Sequence, residues 1–193
     1  MRIVSSFAVL FLVASLTGCA AQAQHTAMVV SNVHLVNHHA NTVATTVSGG
    51  EKTNPLWTSE ISSEGYKQAL DQSLRESDLF SGISQGSGSD YELTVQLSKA
   101  KQPMVGLGMT VRLSADWKLS RTSDGQPVWQ ETIDSEYTAK FTESVIGYER
   151  LRKANEGAVR ENIRKGMERL SSVSLEQSNI QLTGASATPP QVH

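Results

Sequence analysis

The single cysteine of this 193-residue chain, Cys19, is the residue whose surroundings most clearly predict chemistry. It ends the tetrapeptide Leu16-Thr17-Gly18-Cys19, which closes an apolar run that begins at position 3. Arg2 precedes that run and is the sole Lys, Arg, Asp or Glu among the first 50 residues. A bilayer span takes about 20 apolar residues, so a run this short and interrupted by serines predicts a cleaved export signal.

The tetrapeptide resembles the lipobox of bacterial lipoprotein signals. That resemblance implies cleavage before Cys19 and acylation of its sulfur, with Leu16 in an apolar subsite of the peptidase and Gly18 giving access to the backbone. Acylation also accounts for a lone thiol, which has no disulfide partner in an exported protein. The alternative is an ordinary signal peptide cut after Ala21 or Ala23, which would discard Cys19.

Two or more acyl chains anchor a protein stably, whereas one chain anchors it weakly. Residue Ala20 follows the cysteine. In the lipoproteins that this signal resembles, an Asp at that position commonly retains the protein in the inner membrane. We therefore expect an outer-membrane anchor with the domain on the periplasmic side, the alternatives being the outer leaflet of the inner membrane and the cell surface.

Composition limits the mature chain to one domain with polar ends. Removal of residues 1–18 leaves 175 of the 193 residues, which suits a single domain. Loss of Arg2 leaves 16 of the 17 basic residues against 19 acidic ones, a net charge near −3, so we expect no nucleic-acid partner. The predicted divisions are a signal peptide at 1–18, a tether at 19–27, an α+β domain at 28–172 and a polar, disordered tail at 173–193.

Apolar periodicity predicts the elements of that domain. Alternation predicts three successive strands at 91–98, 109–119 and 127–138, and helical spacing predicts helices at 59–77 and 143–170. Earlier in the chain, β-branched runs predict a strand at 28–36, a turn at 37–41 and a strand at 42–47, which together would form a hairpin.

These elements predict a two-layer α+β sandwich in the order β-(β)-α-β-β-β-α. Clean alternation in the three later strands predicts one buried and one wet face, and their short connections predict a mainly antiparallel sheet. Two helices on the apolar face would then bury every apolar stripe. The small residues Ala154, Ala158 and Gly166 would let the final helix lie close to the sheet.

The connection between the first two of those strands is a candidate binding loop. It carries Met104, Val105 and Leu107 together with two glycines, Gly106 and Gly108. One interpretation is an apolar loop that contacts a partner or a lipid tail. The other is a hairpin whose apolar side chains fold back on the core. No helix follows, so the loop lacks the helix N-terminus that a phosphate-binding loop requires.

Metal binding and catalysis have weaker support. His34, His38 and His39 are the best metal candidates, but His34 and His38 share a face only in a helix, and the local pattern predicts strand and turn. Gly82-Ile83-Ser84-Gln85-Gly86 has the Gly-x-Ser-x-Gly spacing, but it lies in a Gly/Ser-rich stretch and lacks the following helix that a nucleophile elbow requires. The strand carboxylates fall on the wet face, Glu131 excepted. We therefore predict no catalytic residue, no metal and no cofactor beyond the lipid on Cys19.

The lipobox, the element order and the charged closing helix around Arg150–Ile163 together resemble small periplasmic lipoproteins of Gram-negative envelopes. The layout is similar to the lipopolysaccharide-assembly lipoprotein, to auxiliary lipoproteins of ABC transporters and to penicillin-binding-protein activator lipoproteins. The resemblance implies a non-enzymatic accessory that binds an envelope protein or lipid through the sheet edge, the 102–108 loop or the closing helix. The alternatives are a periplasmic lipid-binding domain with an apolar cavity and a hydrolase or metal-binding protein.

Overall fold

A computed structural model describes residues 23–50, 60–84, 88–102 and 108–175 of this chain. These residues form three α-helices, five strands and one 3-10 turn. In chain order the elements are α1 (His25–Met28), β1 (His39–Ser48), α2 (Ser63–Ser77), β2 (Phe80–Ile83), β3 (Tyr91–Lys101), β4 (Met109–Arg121), β5 (Pro127–Ala139), the 3-10 turn (Phe141–Glu143) and α3 (Gly147–Ser171).

The five strands form one mixed sheet in the order β2-β1-β3-β4-β5. The long meander of β3, β4 and β5 is antiparallel, as the short connections predict. Strand β1 instead runs parallel to both of its neighbours, β2 and β3. A parallel pair needs a crossover, and α2 supplies it. The predicted α+β class with the long helices on one sheet face is confirmed, and the strand order differs from the predicted one.

The core lies between the sheet and the two long helices. Leu70 of α2, Leu93 of β3, Trp117 of β4 and Ile163 of α3 are all fully buried there. A Cβ atom at Gly166 would lie 2.4 Å from the Trp117 ring, so the absence of a side chain lets α3 approach the sheet at that point. The predicted role of Gly166 as a close-contact residue is therefore confirmed.

The predicted hairpin at 28–47 is wrong. The predicted tether ends in a short helix, α1, and residues 29–38 form no strand. The predicted turn at 37–41 already includes the start of β1, which contains the second predicted strand. The reason lies in the backbone hydrogen bonds: the N–H groups of Val30 and Val36 donate to Ser73 Oγ and Ser171 Oγ, so helix side chains replace the partner strand.

The remaining boundaries differ by small shifts with local causes. Helix α2 begins after Ser62, whose Oγ accepts a hydrogen bond from Gly65 N at 3.1 Å, so residues 60–62, which were predicted as helix, precede it. The helix ends at Asp78, which adopts a left-handed conformation with φ of 52°. Strand β2 falls between the predicted helix at 59–77 and the predicted strand at 91–98, where no strand was predicted, because four residues are too few to show alternation.

Helix α3 begins at Gly147 rather than near 143, because a 3-10 turn occupies Phe141–Glu143. At its other end, Val173 and Leu175 are partly buried against the core, although they belong to the stretch predicted as a polar tail. Residues 176–193, the rest of that predicted tail, lie outside the described residues. Among the helices that the structure describes, none combines the length and the apolar character that a membrane crossing needs.

Candidate interaction surfaces

The residues that the sequence singles out most strongly lie outside the described ranges. These are the predicted lipobox, Leu16, Thr17, Gly18 and Cys19, and the apolar residues of the predicted binding loop, Met104, Val105 and Leu107. Acylation at Cys19 and partner or lipid binding by the loop therefore stay predictions. What the structure does describe is the chain that follows the lipobox and the surfaces around it.

Residues 23–36, which we call the N-terminal segment, pack on the helix layer. Met28 and Val30 are buried, and so is Ala23, only four residues after Cys19. The backbone of Gln24 donates to Glu156 Oε1 at 2.9 Å. Residues 23–27 were predicted to be free tether, and they are instead part of the folded domain.

The N-terminal segment runs parallel to α3. Gln24 bonds to Glu156, Arg160 of α3 donates to the carbonyl oxygen of Ala27 at 2.6 Å, and Val36 bonds to Ser171. Each step forward along the segment is thus a step toward the C-terminal end of α3. Followed backward, the chain heads for the beginning of α3 and for the turn that precedes it.

That beginning of α3 carries the largest group of exposed apolar side chains in the described residues. Phe141 is 46% exposed, Val145 72%, Ile146 42% and Tyr148 51%. We call these four residues the apolar patch. In the described part of the chain, Val36 is the remaining large hydrophobic side chain with comparable exposure.

Basic residues of α3 fix the connection that bears the apolar patch. Arg150 is buried, donates to the Ser144 carbonyl at 2.8 Å and lies 5.1 Å from the centre of the Phe141 ring. Lys153 donates to the Glu143 carbonyl at 2.6 Å. These contacts hold the exposed side chains on an ordered stretch of backbone.

The rest of the charged helix face is largely satisfied within the molecule. Arg164 forms ion pairs of 2.5 Å with both Glu161 and Glu168. The hydrogen bond from Arg164 is the main cause that holds the pKa of Glu161 below its usual value. Lys165 donates to the Asp134 carbonyl, and Glu161 also lies 3.9 Å from Lys165, as the i,i+4 spacing predicts. Much of the charge on this helix is therefore paired within the molecule. Less of it is left for the predicted docking role.

The three candidate histidines are not grouped as metal ligands in the described residues. His38 Nδ1 lies 2.8 Å from the Asp78 carbonyl oxygen, and His39 Nε2 lies 3.2 Å from the Leu170 carbonyl oxygen. His34 lines an open cleft near Glu131 and Glu168. Both carboxylates there face arginines, and within the described ranges no three histidine, cysteine, aspartate or glutamate side chains are grouped as metal ligands.

His39 is expected to make the stability of the fold depend on pH. Burial lowers the pKa of His39 below 6.5, against the opposing effect of its hydrogen bond to Leu170. The unfolded chain therefore binds a proton more readily than the folded one, so the free energy of unfolding is highest above pH 6.5 and falls as the pH drops through the folded-state pKa.

Chemical denaturation of the wild type and of His39→Gln between pH 5 and 8, where an unperturbed imidazole titrates at about 6.5, measures this effect. We expect the variant to lose part of the pH dependence, whereas His34→Gln, at an exposed position, keeps it. Equal slopes for His39→Gln and the wild type would contradict the assignment.

A buried polar cluster joins both long helices to the sheet. Asn162 Oδ1 accepts hydrogen bonds from Tyr66 Oη at 2.7 Å and from Trp117 Nε1 at 3.2 Å, and Asn162 Nδ2 donates to the Ile133 carbonyl at 2.7 Å. Burial raises the pKa of the Tyr66 phenol, which keeps the donor proton in place. The sequence contained one signal for this cluster: Asn162 falls on the apolar stripe of α3.

Apolar side chains fill the helix–sheet interface in the part of the chain that the structure describes. Leu74, Leu113, Leu119 and Met167 are fully buried and fill it together with Trp117. A cleft of about 650 Å³ opens instead beside β5 and α3, and charged side chains contribute much of its lining. A lipid-carrying domain would require an enclosed apolar space between helices and sheet.

The sheet face away from the helices, which we call the open face, is covered by paired polar side chains. Thr132 donates to Asp116 at 2.6 Å, Ser48 donates to Gln96 at 2.6 Å, and Thr110 and Thr138 lie 2.8 Å apart. Arg112 and Glu136 form an ion pair across β4 and β5. The predicted wet face is confirmed, and its carboxylates are taken up by neighbouring side chains.

The two edges of the sheet differ in length. Strand β2 forms one edge with four residues, and β5 forms the other with 13 residues. No strand of the described residues pairs with the outer side of β5. Near the start of β5, Glu131 is half-buried and lies 3.4 Å from Arg169. This carboxylate shares the Trp129 side of the strand and forms an ion pair there.

This fold has solved relatives. Protein XCC0632 from Xanthomonas campestris, of family DUF330, is similar with a TM-score of 0.56 and 12% identity over 74% of this chain and 89% of that one. Hypothetical protein CT253 from Chlamydia trachomatis has a TM-score of 0.50 and 11% identity over 69% of this chain and 97% of that one. A minor lipoprotein from Acinetobacter baumannii has a TM-score of 0.45 and 7% identity over 67% and 91%.

At identities this low the likeness concerns the fold alone. The sequence matches no protein-family model and no curated protein. The architecture of one mixed sheet under two long helices therefore recurs in bacterial proteins, while the role of this chain has to be argued from its own residues.

Proposed function

We propose that this chain is a lipid-anchored envelope protein, held at the periplasmic side of the outer membrane by acyl chains on Cys19. It acts there as a non-enzymatic accessory in envelope assembly or transport. The observation that carries the proposal is the packing of the N-terminal segment, with Ala23 buried and Gln24 bonded to Glu156. Docked chain that begins four residues after the predicted anchor keeps the domain close to the membrane, which suits a protein that works by contact with its neighbours there.

The surface that best suits a protein partner is the outer edge of β5. No described strand pairs with its outer side, and an extended segment of another chain can add to such an edge as a further strand. The carbonyls of Ile133 and Asp134 are already occupied by Asn162 and Lys165, so the partner strand would use the remaining outward groups. Glu136 is paired with Arg112 and Asp134 accepts a hydrogen bond from Ser114, so recognition at this edge would rest on the backbone of β5. The other predicted surfaces support the proposal less, since the charges of α3 are engaged internally and the 102–108 loop is not described beyond its ends.

Mass spectrometry of the mature amino terminus tests the anchor. We expect an amino-terminal peptide that begins at Cys19 and carries acyl chains, in protein recovered from the outer-membrane fraction. Cys19→Ser is expected to move the protein out of the membrane fraction, while Ser31→Ala, at an exposed position of the N-terminal segment, leaves it there. A mature chain that begins downstream of Cys19 without fatty acid would overturn the proposal.

Site-specific photocrosslinking in cells tests the partner surface. A photoreactive residue at Gln130, exposed on β5, is expected to give one defined adduct with an envelope protein. The matched control is Glu76, exposed on α2, which is expected to give none. Absence of an adduct at Gln130, or the same adducts at both positions, would argue against the β5 edge without affecting the anchor.

A further inference from the structure

We infer that the apolar patch, Phe141, Val145, Ile146 and Tyr148, is the surface with which the domain lies on the bilayer to which it is anchored. The inference rests on the proposed function, because it requires acyl chains on Cys19. It adds to that function an orientation: the beginning of α3 points at the lipid, and the C-terminal end of α3 points away from it.

The path of the N-terminal segment along α3 supports this orientation. Ala27 is hydrogen-bonded to Arg160, and Gln24 is hydrogen-bonded to Glu156. From Ala27 to Gln24 the segment therefore comes closer to the first turn of α3. Residues four apart in a helix lie above one another, so Glu156, Arg152 and Tyr148 form one row on α3. At Gln24, near its described end, the docked segment therefore lies on the row of α3 that leads to Tyr148.

The rise of α3 from Glu156 to Tyr148 is comparable with the reach of the chain from Ala23 to Cys19. Eight residues separate Tyr148 from Glu156 on α3, which is a rise of about 12 Å at 1.5 Å per residue. Four residues lead from Ala23 back to Cys19, and at 3.3–3.6 Å per residue they span at most about 14 Å. The predicted acylated sulfur therefore lies within about 14 Å of Ala23, a reach comparable with the rise of about 12 Å from Glu156 to Tyr148, the member of the apolar patch on this row.

The side chains of the apolar patch suit the surface of a membrane. Tyrosine and other aromatic side chains favour the headgroup level of a membrane, where an apolar ring and a polar tip are both satisfied. Val145 and Ile146 add aliphatic surface that water solvates poorly. Lys140 is exposed beside the patch, and a lysine there can reach lipid phosphates.

The apolar patch contrasts with the polar and charged character of the rest of the described surface. The open face carries polar pairs such as Thr110 with Thr138, and the cleft beside β5 is lined by charged side chains. In the described residues the other exposed large hydrophobic residue, Val36, lies beside Ser171 at the far end of α3. The apolar side chains therefore gather at the end of the domain that the anchor reaches.

Depth-dependent quenching on the full, acylated protein tests this orientation. Cys19 is the sole cysteine and its sulfur is blocked by the thioether, so Val145→Cys offers a unique thiol for an environment-sensitive fluorophore. The labelled protein is reconstituted into vesicles of phosphatidylethanolamine and phosphatidylglycerol with or without nitroxide-bearing lipids. The matched control is Gln130→Cys, exposed on the sheet at a distance from the patch.

We expect the label at position 145 to shift its emission to the blue and to lose most of it to the nitroxide lipids. The label at position 130 is expected to show neither effect and to be quenched by aqueous iodide. A label at position 145 that iodide quenches as strongly as at 130 overturns the inference. A label shielded from iodide and from nitroxide lipid alike also overturns it, because a protein surface then covers the patch.

Mass spectrometry of the same samples separates the two levels of failure. Acyl chains on Cys19 together with a water-exposed label would reject the orientation and leave the proposed anchor intact. Absence of acyl chains from Cys19 would reject the proposed anchor and the orientation with it. Because Val145 is 72% exposed, its replacement removes no core contact, and the variants are expected to fold.

Discussion

Replacing Asn162 with alanine is expected to lower the free energy of unfolding by about 3–5 kcal/mol. The substitution removes the acceptor for the Tyr66 hydroxyl and the Trp117 indole, and the donor to the Ile133 carbonyl. Asn162, Tyr66 and Trp117 are fully buried, so no water takes over these bonds. A buried polar group without a partner costs about 1–3 kcal/mol, and the better helix propensity of alanine returns only about 0.5 kcal/mol.

Urea denaturation followed by the fluorescence of the three tryptophans measures the loss. Tyr66→Phe is the matched control, because it removes one of the three bonds and leaves Asn162 with two partners. We expect it to cost about 1 kcal/mol, the usual net value of a single hydrogen bond. If Asn162→Ala cost no more than Tyr66→Phe, the cluster would not be the junction between the helices and the sheet.

Replacing Met28 with alanine is the second large effect, with an expected cost of about 2–5 kcal/mol. Met28 is 1% exposed and ends the short helix that packs between α2 and α3. Truncation leaves a cavity between elements that are fixed by other contacts, so the site collapses only in part. A residue in a free tether would give no such effect, so this variant distinguishes a docked N-terminal segment from a loose one.

Thermal and chemical unfolding of the acylated protein provide the measurement. Thr26→Ala is the matched control, since Thr26 lies in the same short helix and is exposed. Its expected change is within about 0.5 kcal/mol, as for most surface substitutions. Equal stabilities of Met28→Ala and Thr26→Ala would mean that the N-terminal segment contributes little to the fold.

The elements that sequence predicted well are those whose pattern is local. Alternation from Tyr91 to Leu97 and from Met109 to Leu119 specifies strands with one buried face, because successive side chains point to opposite sides. The stripe of α3 specifies its buried side in the same way, and Asn162 stands out as a polar residue on it. Each of these signals is complete within about a dozen residues.

The elements that sequence predicted poorly depend on partners far along the chain. Residues 28–36 are rich in valine and leucine, which suits a strand or any other extended packed segment. Their conformation follows from bonds to Ser73 and Ser171, more than 40 and 130 residues away. The parallel direction of β1 likewise depends on β3, which pairs with it only after the crossover through α2.

The candidate surfaces show the same division. The apolar character of Val145, Ile146 and Tyr148 is evident from the sequence. It is equally compatible with burial against the sheet as part of a longer helix. Their exposure results from the 3-10 turn and from Arg150 and Lys153, which hold the connection outside the helix–sheet interface. The sequence marked Cys19 as the predicted anchor, and the docked segment indicates which end of the domain lies near it.

By itself, the sequence determined that this protein has a long antiparallel meander and two amphipathic helices, since periodic burial leaves its trace in neighbouring residues. Only the tertiary structure decided how the first strand is paired, where the N-terminal segment lies and which apolar residues stay in water. These features depend on contacts between distant residues, and a single sequence carries no local pattern that specifies which distant residues will meet.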